Sequence, residues 1–164
     1  MLACVIAIAL LASLAWFDVV HRRLPGKLVG AVTVFYLVMA TLAKAPLSSV
    51  AVHVGVALIA FSVGAALFAV GLLGGGDVKF AFAVFLWAGA TLAIPAFVLI
   101  SLAGLVVALV ALAAGWLMRR SPSGVLARIA SPWSAARGVP YGVAIALGAL
   151  PIIVVRTLAG GMTS

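Results

Sequence analysis

Long apolar runs, interrupted by basic residues, glycine or proline, organise this chain. They are Leu2–Phe17, Leu28–Ala43, Val50–Leu73, Phe80–Ile94, Ala96–Met118 and Val139–Val155. A helix needs about 20 such residues to cross a bilayer. The pattern therefore predicts an all-α membrane protein, a bundle of about six transmembrane helices in a single domain over residues 1–164. The first and fourth runs are short for a span, so they extend into the polar segments beside them or the bilayer thins locally. The stretch from Phe80 to Met118 is too long for one crossing. Pro95, with Gly89 before it, is the expected turn.

Composition narrows the class further. Hydrophobic residues make up 68% of the chain, charged residues 7%, and the mean hydropathy is +1.45. Soluble domains are about 45–50% apolar and about 25% charged, so a soluble surface cannot be built from these residues. The net charge of +8 does not point to nucleic acid, because the bases sit between apolar runs rather than on a soluble face. Cys4 is the single cysteine, which excludes an internal disulfide and a cysteine-rich zinc site. The first run has no basic residue before it and is expected to be a retained span rather than a cleaved signal.

Lysine and arginine set the expected orientation. With the N-terminus outside, six crossings put Arg22, Arg23, Lys27, Lys79, Arg119, Arg120, Arg128 and Arg137 on the cytoplasmic side. Lys44 and Arg156 fall outside. Eight against two satisfies the positive-inside rule, and the opposite orientation reverses it. An even number of spans leaves both termini on the outer side. Between the last two spans, Val125, Leu126, Ile129 and Trp133 recur at near-helical spacing. They fit either a short interfacial helix with Trp133 at headgroup level or a plain basic connecting loop.

Asp18 and Asp77 are the only acids in the sequence. Asp18 closes the first run and Asp77 follows the third, so the topology puts both near one membrane face. Acids within membrane segments are costly and usually functional. Each has an ordinary alternative: Asp18 could pair with Arg22, and Asp77 with Lys79 or Arg23. Two carboxylates at one depth fit aspartyl proteolysis instead. One draws a proton from water, the other polarises the scissile carbonyl, and the pair shares a proton. Which acid plays which role stays open, since such a pair titrates as a unit. Beside Asp77, Leu73-Gly74-Gly75-Gly76-Asp77-Val78-Lys79 ends an apolar helix with three glycines. They are expected to take positive φ and admit an extended substrate close to the acid.

These motifs resemble a known family. Gly74-x-Gly76-Asp77 matches the GxGD motif of intramembrane aspartyl peptidases. Asp18-Val-Val-His-Arg-Arg-Leu-Pro25 is similar to the first motif of type IV prepilin peptidases, and Val139-Pro140-Tyr141-Gly142 to a segment near the start of their last helix. The resemblance implies Asp18 and Asp77 as the catalytic pair. It implies Gly74, Gly76, Lys79, Pro25, Pro140 and Gly142 as residues that shape the site. It also implies removal of short basic leaders from prepilins and pseudopilins, at the cytoplasmic face of a bacterial inner membrane. Gly26 departs from the pattern, which usually has Asn after the proline. The family's bifunctional members carry paired CxxC motifs and methylate the new N-terminus. With Cys4 alone, this chain resembles the short form associated with Tad/Flp pili, for which cleavage without methylation and without metal or cofactor is expected. The expected partners are the prepilin and membrane lipids.

Two rivals remain at the level of sequence. A preflagellin or signal-peptide type of GxGD peptidase usually has a differently patterned first motif, often with Tyr before the Asp, where Phe17 stands here. A small transporter or proton pathway would use the acids as a relay. Such folds often show internal repeats and mid-span broken helices, and the sequence reveals neither.

Overall fold

The computed structural model describes residues 1–120 and 139–159. The described residues form helices and no strands: α1 (Leu2–His21), α2 (Gly26–Leu42), α3 (Leu47–Ala69), α4 (Gly75–Arg120) and α5 (Tyr141–Ala159). Three of these start directly after a proline: Pro25, Pro46 and Pro140. Proline has a φ suited to a helix start and no N–H to leave unpaired there. α1 closes on Arg22, which turns left-handed at φ 53° and donates its backbone N–H to the Asp18 carbonyl. Lys44 makes a second left-handed turn between α2 and α3.

Among the described residues, α1, α3, α4 and α5 are long and apolar enough to cross a membrane, while α2 has 17 residues. Their outward faces carry exposed residues such as Val63, Ile94, Phe97, Leu105 and Leu109, the surface that lipid would cover. Leu14, Tyr36, Phe80, Val84 and Trp87 are buried. Ile145, Ala149 and Ile153 of α5 pack into the same core.

α4 is not one rod. Gly89 has φ 58° and ψ −169°, non-helical values inside its 46 residues. The packing against α5 shows that the chain reverses there. Leu24 lies against both Gly76 and Gly142, and Arg156 reaches Ala88. The first arm, 75–88, thus runs alongside α5 in the same direction. In the second arm, Thr91 meets Arg156, Ala96 meets Ile152 and Val107 meets Val143, so 90–120 runs antiparallel to α5. A methyl on Gly148 would stand 2.5 Å from the Ile100 backbone nitrogen. Such close helix approach at small residues is how packed membrane helices gain van der Waals contact. The count of crossings therefore depends on how these arms and α2 sit in the bilayer.

Several expectations change. The turn falls at Gly89 rather than Pro95, which lies inside the second arm. α1 runs past Phe17 and takes in Asp18, and α3 begins and ends earlier than the apolar run suggested. Positive φ falls on Gly71 and Gly89, not on Gly74, Gly75 or Gly76. Gly75 and Gly76 are already helical, so that part of the glycine segment starts a helix instead of ending one. Arg156, expected among the outer charges, is buried and points into the bundle. The interfacial-helix expectation for Val125–Trp133 lies outside the described residues.

Candidate active site

Asp18 sits in the last turn of α1 and is 6% exposed. Its carboxylate accepts the Val143 backbone N–H at 3.1 Å and that of Gly142. Tyr141 is the first residue of α5, so these are amides of its first turn, which lack the partners of the helix interior, and that of Val143 also donates to the Pro140 carbonyl at 3.2 Å. Asp18 serves them from another helix, and the positive end of the α5 dipole stabilises its charge. Pro140, buried beneath, sets this helix start.

Asp77 occupies the third position of α4, and its carboxylate accepts the N–H of Gly74, just before the helix. This is the reach-back half of a capping box. A methyl on Gly74 would stand 2.8 Å from Asp77 Oδ2. Each acid thus lies at a helix N-terminus, Asp18 at that of α5 and Asp77 at that of α4. The two carboxylates are close enough that the charge of Asp18 is felt at Asp77. Two helix dipoles aimed at one place make it tolerable to hold two acids together in an apolar bundle.

The glycines act here through their size. A methyl on Gly142 would stand 2.9 Å from both Asp18 Cγ and Leu24 Cδ2, and one on Gly76 would stand 3.1 Å from Leu24 Cβ. Leu24 therefore fills the gap between α4 and α5 beside the acids. Of the expected site residues, Asp18, Asp77, Gly74, Gly76, Pro140 and Gly142 come together, and Pro25 starts α2 nearby. Lys79 does not join them. It is exposed and lines a groove of about 340 Å³ with Gly26 and Gly30 of α2 and Leu58 and Phe61 of α3. Two helical positions separate it from Asp77, a rotation of about 200°.

Sequence reasoning missed two contributors. Leu24 was part of a motif pattern but not assigned to the site, although its Leu-Pro context carried the signal. The Val143 amide gave no signal, being backbone from 125 residues away. Arg22 lies near enough to act electrostatically on Asp18. Among the described residues, no three of His, Cys, Asp and Glu come together as a metal site would need.

A helical membrane protein with paired carboxylates at converging helix N-termini has the groups that acid-base hydrolysis of a peptide requires. Residues 5–109 match the type IV leader peptidase family, and the chain belongs to that family. It is accordingly a protease of a family whose chemistry is aspartic. The matched region holds both acids and the Gly89 break, while α5 lies beyond it. No curated protein and no solved structure matches the chain.

Proposed function

We propose that the chain is an aspartyl endopeptidase that removes the short basic leader from prepilins or pseudopilins at the cytoplasmic membrane face, without N-methylation. One observation carries this reading. Asp18 and Asp77, remote in sequence and both inside the region that matches the leader peptidase family, lie within electrostatic reach of each other beside the first turns of α4 and α5.

The chemistry follows from the pair. The ionised carboxylate takes a proton from a water molecule as its oxygen attacks the scissile carbonyl. The protonated carboxyl gives its proton to the carbonyl oxygen, and a tetrahedral diol forms. Collapse breaks the C–N bond, with a proton passing to the leaving amine and the pair regaining its single shared proton. Roles are assigned to the pair and not to either residue. The buried Asp18, held by two amides, keeps a fixed position. Asp77 is held by one.

Six membrane segments, with both termini outside, take the two arms of α4 as separate outward and return legs. The first arm rises only about 21 Å over its 14 residues, so its hairpin at Gly89 lies within the bilayer. Arg22, Arg23, Lys27 and Lys79 are at the acid end and Lys44 at the other. With Arg156 turned inward, the charge bias that orients the bundle becomes stronger.

Co-expression with a candidate prepilin, read as leader removal by gel shift, tests the proposal. Cleavage by the unaltered chain and none by folded Asp18→Asn or Asp77→Asn is the expected result. Normal cutting by either variant rejects the dyad, and N-methyl transfer from S-adenosylmethionine by the purified chain rejects the monofunctional reading.

A further inference from the structure

The second buried polar cluster of the bundle lies at the far end from the acids, around Gly89. The φ and ψ of Gly89 belong to a region that essentially only glycine occupies. A helix broken there leaves carbonyls of its last turn without their helical N–H partners. At membrane depth such groups must be satisfied from within the protein. Two side chains from other helices do so. His53 Nδ1 of α3 donates to the Leu86 carbonyl at 2.8 Å. Arg156 Nη2 of α5 donates to the Ala88 carbonyl at 2.8 Å and to Thr91 Oγ1 at 2.7 Å, bridging the break.

The surroundings hold these donors in place. Tyr36 stacks on the His53 ring with centroids 5.5 Å apart. Trp87 donates its indole N–H to the Val32 carbonyl at 3.1 Å. His53 Nε2 lies against Gly89 where a side chain would otherwise stand. His53 and Arg156 are buried, although polar and ionisable side chains at this depth are expensive.

α5 links this cluster to the acids. Its first turn holds Asp18 through the amides of Gly142 and Val143, and Arg156 grips the end of the arm that starts with Asp77. Gly142 to Arg156 spans about 21 Å along α5 and Asp77 to Ala88 about 17 Å along the arm. A helix fastened at both ends in this way sets how far Asp77 stands along the bundle relative to Asp18. We infer that Arg156, assisted by His53, is a positioning residue that clamps the first arm of α4 in the axial register at which Asp77 meets Asp18. This rests on the dyad reading above.

The test uses the full chain in detergent or nanodiscs. Arg156→Met removes the donors at similar volume. It is expected to lower kcat for leader cleavage at least tenfold with KM little changed, and Arg156→Lys is expected to recover part of the loss. The second readout does not use cleavage. Nitroxides at Trp16 and Lys79, placed through cysteines in a Cys4→Ser chain, report the α1 to α4 distance by electron–electron resonance. Arg156→Met is expected to shift or broaden that distance and Arg156→Lys to restore it. A fall in kcat with an unchanged distance overturns the inference, and so does an unchanged kcat. Should Arg156→Met not fold, His53→Phe takes its place, keeping the ring stack and losing the bond to Leu86, with the same paired signature expected. If neither variant folds, the residues are purely structural and the inference fails. The distance readout stays meaningful even if Asp18→Asn and Asp77→Asn reject the dyad.

Discussion

Replacing Gly142 by Ala puts a methyl 2.9 Å from Asp18 Cγ, Asp18 Oδ2 and Leu24 Cδ2. Ordinary contact starts near 3.4 Å, so the carboxylate or the start of α5 must move by about 0.5 Å. Two costs follow. Overpacking of this kind destabilises by about 1–3 kcal/mol. The shift also stretches the amide bonds to Asp18, each worth about 1.5–3 kcal/mol when the acceptor is charged. Catalytic groups must be held to about 0.5 Å, and a 1 Å misplacement costs about 100-fold. Gly142→Ala should therefore lower kcat by about 10- to 100-fold while the protein still inserts and folds. The assay is leader cleavage by purified protein, with a thermal melt run in parallel. Gly30→Ala is the control, since nothing lies within 4 Å of the added methyl, and it should cut normally. Cleavage by folded Gly142→Ala within about threefold of the unaltered chain would refute the reasoning, because it would mean that Asp18 need not stay where the α5 amides hold it.

Other expectations concern the bundle. Gly148→Ala drives a methyl to 2.5 Å from the Ile100 nitrogen and 2.6 Å from its Cα. Backbone cannot swing aside, so α5 and the second arm of α4 should separate, with a loss of about 1–3 kcal/mol read as a lower melting temperature. Trp87→Phe removes the donor to the Val32 carbonyl and should cost about 1 kcal/mol, lowering the melting temperature without abolishing cleavage at low temperature. Cysteines at Arg23 and Lys44 in a Cys4→Ser chain should label from opposite membrane sides, and labelling from one side would reject the proposed topology.

Proline carries a local signal for helix starts that the apolar runs, taken to begin at Leu28, Val50 and Val139, left unused. Pro25, Pro46 and Pro140 each precede a helix wherever the rest of the chain goes. The acids were legible because of their rarity in so apolar a sequence. Gly89 and Pro95 show where such reading stops. Both can end a helix, and local chemistry does not rank them. The structure turns at Gly89, where His53, Arg156 and their neighbours satisfy the exposed carbonyls. Pro95 is absorbed into the second arm. Lys79 and Arg156 show the same limit for charge. A count along the chain sees two bases at helix ends, and only packing turns Arg156 inward and Lys79 outward.

Hydropathy and the shortage of charge, both additive properties of residues, determined by themselves that this chain is a helical membrane protein with two noteworthy acids. Tertiary structure alone decided what surrounds those acids. Asp18 is held by backbone amides of a helix 125 residues away, and a backbone N–H carries no signature in the sequence. Gly74 and Gly76 are spent on close packing rather than on unusual backbone angles, since the carboxylate itself and Leu24 fill the space that side chains would need, whereas a methyl on Gly75 would make only ordinary contact with Phe68.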